Sequence, residues 1–169
     1  MNLTHLHLAL SHLVVMAVLF SAVLFLFGFF RKNETIKKLA LFGFVIAALS
    51  AIPVFLAGES AEESVEHLTG VSESVIDSHE DAATFSFWMI EIAGAVALGA
   101  LFLKKIPAFK NSFFTGIMVL ISLVSAGAIS YTGYLGGQIR HTEISGNSVF
   151  QNGGQNGEQG EAGADQDDN

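Results

Sequence analysis

The chain has 169 residues, of which 51% are hydrophobic and only 14% carry a charge, and this composition excludes an ordinary soluble domain. The formal net charge of −8 leaves few basic residues, so a nucleic-acid-binding surface is excluded. Cysteine is absent, which excludes disulfides, thiolate metal sites and the covalent attachment of a c-type haem. We therefore expect an integral membrane protein.

Four apolar stretches, with their flanking residues, are long enough to cross a hydrocarbon core as helices, which takes ~20 residues each. They cover residues 13–30, 39–57, 82–103 and roughly 113–135. Positive charges follow the first stretch instead of preceding it, so we predict a retained span and not a cleaved signal peptide. The predicted fold is an all-α membrane protein: a four-helix transmembrane bundle within residues 1–144, followed by a disordered acidic tail at 145–169.

Small residues in two of these spans predict close helix packing. Gly43, Ala47 and Ala51 repeat at four-residue spacing and would let another helix approach the second span. Pro53 removes one backbone donor late in that span, and Gly58 is placed to end it. The fourth span is rich in Gly, Ala and Ser, so we expect it to be the most tightly packed helix of the bundle.

The polar interval between the second and third spans, residues 58–81, is dense in carboxylates and histidines and contains no Lys or Arg. Such a loop attracts cations, protons or a basic partner. Ser60 followed by Glu63 fits a capping box, which predicts a short amphipathic helix at the outer membrane interface. Ser72 is placed to cap another helix that runs through His79 into the third span.

The basic residues predict the orientation of the chain in the membrane. Seven of the eight Lys and Arg residues lie in the two short connections after the first and third spans. The positive-inside rule places these connections in the cytoplasm. We therefore expect a multi-pass protein of the bacterial inner membrane with both termini on the periplasmic side, and with all six histidines at that outer face.

Histidines gathered at one membrane face are the most informative feature of the sequence, because imidazole binds haem iron and other transition metals. Counted from the inner ends of the spans, His5 and His79 lie at matching depth, as bis-histidine ligation of a b-type haem requires. His12 lies ~9 Å deeper, and its pairing with His79 stays open because helix tilt absorbs part of that gap. An interfacial histidine satisfied by water or by a carbonyl is the alternative at each position. The predicted cofactor ligands are His5, His7, His12, His79 and His141.

A second predicted site would hold a divalent transition metal at the outer loop. Glu63 and His67 lie four residues apart on the short helix, so both could bind one ion, and His79 opens the third span beside Asp77. An acidic, solvated loop without metal has the same composition. The H-E-x-x-H motif of zinc proteases is not present.

Glu91 is an acid close to the middle of the third span, where a charge is costly. Ser122 and Ser125 of the fourth span lie at a similar depth, so we expect a hydrogen bond from one of them to keep the carboxyl neutral. Two hypotheses stay open for this residue: a protonated structural acid and a proton relay.

Several short motifs, taken in their order, resemble a widespread bacterial family of four-span membrane proteins of unknown function. The motifs are L-H-x-x-L-x-H at 6–12, Ala57-Gly58, His79 at the start of the third span, and Y-L-G-G-Q-I at 134–139. That family begins with an H-P-x-L-V-H-F-P-like motif and ends with G-G-x-L-V-Y, and the resemblance covers about residues 5–144. It matches at His7, His12, His79, Gly136 and Gly137, while Leu8 and Val14 stand where the family has proline. The resemblance implies an association with haem or redox partners.

These observations support three functional hypotheses. The first is a membrane module that binds b-type haem or a transition metal near the outer leaflet and serves electron transfer, a redox carrier more than a catalyst. The second is a non-catalytic structural or accessory subunit. Its small-residue faces would pack against a redox or other membrane protein or against a second copy, and its acidic loop and tail would recruit a basic periplasmic protein. The third is a proton-coupled transporter or pH sensor that uses Glu91 and His12, which the lack of an internal repeat disfavours. No hydrolase triad or nucleotide-binding loop is present in the sequence.

Overall fold

The structure is a computed structural model that describes residues 3–63, 73–102 and 112–140. Within these ranges every regular element is a helix and no strand occurs. The helices are α1 (Leu3–Phe30), α2 (Glu34–Leu56), α3 (Gly58–Glu63), α4 (Glu73–Phe102) and α5 (Ser112–Arg140). The part of the polar interval 58–81 that contains His67, the second basic connection and the predicted tail lie outside the described residues.

The four long helices form a bundle, and each is long and apolar enough to cross a membrane. Around the bundle, α1 packs on α2, α2 on α4, α4 on α5, and α5 returns to α1, so that α1 and α4 are diagonal partners. Large side chains such as Phe20, Leu49 and Phe102 point outward and are more than half exposed, as lipid-facing positions are. The predicted all-α, multi-pass membrane fold with a short helix after the second span is confirmed.

The turn between α1 and α2 is tight and sets the two helices antiparallel. At the end of α1, the Asn33 amide donates to Gly28 O at 2.8 Å and the Lys32 amide donates to Phe29 O at 3.1 Å. This is the bonding pattern of a Schellman motif, with Lys32 in the left-handed conformation (φ 50°) that glycine usually occupies. Asn33 then caps α2 by accepting from two backbone amides. The turn brings the start of α1 beside the end of α2.

Small residues allow the helices to approach closely, as the pattern of α2 predicts. Gly43 packs directly against Ser21 of α1, and Ala47 and Ala51 are buried. On α4, Gly94 lies against Ala48 of α2, with no room for a side chain between the two helices. The core of the bundle therefore lies mainly between α1, α2 and α4.

The expectation that the fourth span is the most tightly packed helix is wrong. α5 is the least buried of the four spans. A Cβ atom added at Gly116, Gly127 or Gly133 would meet nothing within 4 Å. Within one molecule, these small residues lie on faces of α5 that no other described helix covers.

The end of α2 also differs from the prediction. Ala57 is the C-cap residue, in a right-handed conformation, and Gly58 does not adopt the left-handed conformation of a glycine stop. Instead Gly58 begins α3, so Ser60 lies inside this helix and does not cap it. The nearly continuous passage from α2 into α3 keeps the short helix beside α1.

Candidate functional site

Two of the predicted ligand histidines, His7 of α1 and His79 of α4, lie at the same end of the bundle. They stand on diagonal helices, and each ring bonds to a neighbouring helix, His7 to α2 and His79 to α5. Both side chains are partly buried. All four spans contribute to this site, since α2 and α5 supply the groups that hold the two rings.

The His7 ring is held by the end of α2. Its Nδ1 atom lies 2.9 Å from Val54 O, a distance typical of a hydrogen bond. Val54 is among the last four residues of α2, and the carbonyl oxygens of these residues accept no hydrogen bond from within the helix. The imidazole therefore satisfies a carbonyl that the end of α2 leaves open. The adjacent Cε1 atom of the ring lies near Gly58 at the start of α3.

The His79 ring is held by the last third of α5. Its Nδ1 atom lies 3.1 Å from Thr132 O. In an α-helix that oxygen points toward the residue four positions later, here Gly136. A Cβ atom at Gly136 would come within 3.1 Å of His79 Cε1, which is tighter than ordinary van der Waals contact. Glycine at this position therefore leaves the space through which the imidazole reaches the carbonyl.

These two hydrogen bonds determine the tautomers of the imidazoles. A carbonyl oxygen can only accept, so Nδ1 of each ring is the donor and carries the proton. In a neutral ring, Nε2 then keeps its lone pair. A histidine that binds a metal through one nitrogen commonly donates its other N–H to a backbone carbonyl in the same way. Nε2 is therefore the ring nitrogen of His7 and of His79 that is available as a ligand.

A polar contact that sequence reasoning missed supports the His79 end of the site. Thr132 Oγ1 donates to Ala128 O at 3.1 Å, and Ser86 Oγ lies 2.8 Å from Thr132 Oγ1, so Ser86 is the donor in that second bond. Ser86 and Thr132 are both buried. Ser86 follows His79 by seven residues on α4, which places both on one face of the helix and was the available signal in the sequence.

The other predicted cofactor ligands do not join this pair in the described part of the structure. His12 is exposed, and its Nδ1 atom bonds to Leu8 O of its own helix at 2.8 Å. Five residues separate His7 from His12, which turns their side chains ~140° apart around α1, so His7 faces the bundle and His12 faces outward. The pairing of His12 with His79 is therefore wrong. The side chain of His5 and all of His141 lie outside the described residues.

The predicted loop metal site is only partly described. Glu63 and Asp77 are exposed, and His67 lies outside the described residues. Asp77 and His79 are two positions apart on α4, which turns their side chains ~200° from each other. In the described ranges, no three His, Asp or Glu side chains are grouped so that they could hold a metal ion. The four-residue set stays a prediction.

Glu91 faces α2 and not α5. Phe87, Glu91 and Gly94 follow each other at four- and three-residue spacing, so they form one stripe on α4. Phe87 stacks on Phe55 of α2 with ring centroids 4.3 Å apart, and Gly94 packs on Ala48 of the same helix. The carboxyl of Glu91 therefore lies at the groove between α2 and α4.

The predicted hydrogen bond between Glu91 and a serine of the fourth span is wrong. Ser122 Oγ donates to Met118 O at 2.6 Å, and Ser125 Oγ donates to Met89 O at 3.2 Å. Oε1 of Glu91 is buried and has no hydrogen-bond partner among the described residues. Both serines therefore use their protons on backbone carbonyls, Ser122 within α5 and Ser125 on α4.

Replacing Glu91 with leucine should stabilise the protein. The substitution removes a buried oxygen without a partner, and such a group costs about 1–3 kcal/mol. The measurement is the thermal unfolding temperature of the full chain in detergent. Glu91→Gln is the control, since it keeps a polar oxygen and should gain less. A lower unfolding temperature for Glu91→Leu than for the unchanged protein would contradict the expectation.

These features define a class: a four-span α-helical membrane protein with an oriented imidazole pair at one end of its bundle. Comparison with family models, with curated proteins and with solved structures finds no match to this chain. The resemblance at His7, His12, His79, Gly136 and Gly137 therefore stays a prediction. The contacts of His7, His79 and Gly136 give three of those positions a physical role in the fold.

Proposed function

We propose that this protein binds a transition-metal centre through Nε2 of His7 and His79 and serves electron transfer. The observation that carries the proposal is the pair of imidazoles on diagonal helices, each with Nδ1 fixed by a backbone carbonyl. Imidazole nitrogen is a suitable ligand for copper, iron, nickel and zinc, and two histidines are the protein ligands of a bis-histidine haem. When bound, a copper ion or the iron of haem b supplies a one-electron redox couple.

The role of the chain's own residues is to hold the two ligands in position. Val54 O and Thr132 O fix the rotation of the rings, and Gly136 leaves room for His79. Hydrogen bonds of this kind also raise the basicity of the ligating nitrogen. The ligands lie on α1 and α4, rigid helices that pack around a buried core, so little conformational freedom is lost on binding.

The proposed location is the bacterial inner membrane, with the imidazole pair at the periplasmic end. Support comes from charge: the first basic connection, with Arg31, Lys32, Lys37 and Lys38, lies at the end of the bundle opposite to His7 and His79. A redox centre in this position is within reach of a soluble or membrane-bound partner on the outer side.

The test is an optical spectrum and a metal analysis of the full chain, purified in detergent from cells supplied with iron, copper and haem precursor. Haem b would give a Soret band that shifts on reduction, and a bare ion would appear as a stoichiometric metal without that band. Either result supports the proposal. Substoichiometric metal and no Soret band, in protein that is folded by circular dichroism, would overturn it.

A purely structural role is the second candidate, and one observation favours it. The His7 imidazole satisfies a carbonyl at the end of α2, which is a capping function that needs no metal. Under this hypothesis the imidazole pair links the four helices, and the protein acts as an accessory subunit. Stable protein without any bound metal is its expected result.

Substituting alanine for Gly136 should weaken metal binding by roughly 10–100-fold, the usual effect of disturbing a group that orients a ligand. The added methyl would lie 3.1 Å from His79 Cε1 and would push the ring away from Thr132 O. Gly137→Ala is the matched control, because a Cβ atom there would meet nothing within 4 Å. Metal affinity measured by competition with a chelator checks the prediction. Equal losses of metal affinity in Gly136→Ala and Gly137→Ala would show that displacement of the His79 ring is not the cause.

A further inference from the structure

The opposite end of the bundle contains a cavity of about 450 Å³ that the proposed redox site does not use. It lies between the α1–α2 turn and the first turn of α5. Two aromatic and four polar residues line it: Phe29, Phe30, Lys32, Glu34, Lys37 and Thr115. The cavity is therefore positioned at the level where a membrane span ends and the lipid headgroups begin.

Lys37 is held in this cavity by the packing of α1 against α2. A Cβ atom at Gly28 would lie 2.9 Å from both Lys37 Cγ and the Lys37 backbone nitrogen, so glycine is required for this close approach. The Lys37 side chain is only 16% exposed, and its ammonium forms a 2.6 Å ion pair with Glu34. An ammonium group has three N–H donors, so this ion pair leaves donors for a further anion.

Lys32 is held in the same cavity by the backbone of the turn. Its left-handed conformation, φ 50°, is one that residues with a side chain rarely adopt. Glycine would fit this position of the Schellman motif without strain, so the turn alone does not account for a lysine there. The side chain brings a second positive charge to the cavity lining.

The charge of the cavity favours an anion. Two ammonium groups face one carboxylate, and Arg31 and Lys38 lie nearby in sequence. Thr115 belongs to the first turn of α5, where the positive end of the helix dipole lies. Basic cavities between transmembrane helices on the cytoplasmic side are typical binding sites for anionic headgroups.

We propose that this cavity binds the headgroup of an anionic phospholipid, with its phosphate on Lys32 and Lys37. The aromatic residues identify the source of the phosphate as a lipid and not a soluble metabolite. Phe30 is 76% exposed and Phe113, at the start of α5, is 75% exposed. Phe30 lines the cavity and Phe113 precedes the lining residue Thr115 by two positions, so both lie at span ends, at the level of a bound lipid's glycerol backbone and upper acyl chains.

The experiment compares the full chain in nanodiscs of phosphatidylcholine with nanodiscs in which a third of that lipid is replaced by phosphatidylglycerol. The thermal unfolding temperature should rise in the anionic nanodiscs. Lys32→Gly and Lys37→Gln should each lose at least half of this rise. Lys38→Gln is the matched control, since Lys38 is the adjacent lysine, is exposed and does not line the cavity, and this variant should keep the rise.

Lys32→Gly separates lipid binding from folding. It removes the strain of the left-handed lysine, so in phosphatidylcholine it should be at least as stable as the unchanged protein while it loses the response to anionic lipid. If Lys38→Gln lost as much of the rise in unfolding temperature, the proposal would be overturned, because the lipid would then respond to the overall positive charge of this end and not to the cavity. No rise in the unchanged protein would overturn it too, as would a similar rise with millimolar glycerol phosphate in phosphatidylcholine, because that phosphate is not lipid-borne.

Discussion

Replacing His79 with alanine should abolish metal binding, and replacing His7 should do the same, whereas His12→Ala should bind as the unchanged protein does. The first two substitutions each remove one of two proposed ligands. The loss should exceed the roughly 10–100-fold that follows from disturbing a supporting hydrogen bond. His12 is exposed, bonds within its own helix and does not face His79. Metal content and the optical spectrum of the three purified variants check the prediction.

His79→Ala is the more decisive of the two ligand variants. Thr132 O keeps its helical partner in α5 when the imidazole is removed, so the fold loses little. His7→Ala leaves Val54 O at the end of α2 without its donor, and some loss of stability should accompany the loss of metal. Metal retained at full stoichiometry in His79→Ala would show that the centre lies elsewhere. A loss of metal in His12→Ala equal to that in His79→Ala would also show that the centre does not lie between His7 and His79.

The spans and their order could be predicted because they depend on the length of apolar segments alone. A helix needs a minimum length to cross the hydrocarbon core, and four stretches of this chain exceed it. Counting along the spans also placed His79 and the histidines of α1 at the same end of the bundle. Depth in a membrane follows from the rise per residue, which is nearly constant.

The inward face of each helix was harder to predict, and most errors come from there. In a soluble bundle, hydrophobic periodicity marks the buried face of each helix. In a membrane the lipid is as apolar as the core, so the buried and outward faces do not differ in hydrophobicity. His5 and His7 are adjacent in depth, and only the buried stripe of α1 through Val14, Val18 and Phe25 shows that His7 lies on the inner side. For the same reason, the predicted serine partner of Glu91 was wrong.

Small residues gave an equally ambiguous signal. On α2 they mark a contact with α1, where Gly43 packs against Ser21. On α5 they mark no contact within the described molecule, because Gly127 and Gly133 have open space before them. Composition shows that a helix can be approached closely, and only the arrangement of the other helices decides whether it is.

Replacing Gly94 with alanine should destabilise the bundle by about 1–3 kcal/mol, the usual cost of inserting a methyl group into a well-packed interface. The new Cβ atom would collide with Cβ of Ala48 and would lie 3.3 Å from Phe44 O. Neither is the end of a flexible side chain, so relief requires α2 and α4 to move apart. That movement would also loosen the stacking of Phe55 on Phe87. The thermal unfolding temperature in detergent should fall by several degrees.

Gly127→Ala is the matched control for this prediction, since it adds the same methyl group to a helix at a position with nothing within 4 Å. Alanine favours helix more than glycine does, so this variant should be unchanged or slightly more stable. A Gly94→Ala protein as stable as Gly127→Ala would mean that α2 and α4 do not approach each other as closely as described. The position of Glu91 in their groove would then have to be reconsidered, whereas the imidazole pair depends on contacts of α1 with α2 and of α4 with α5.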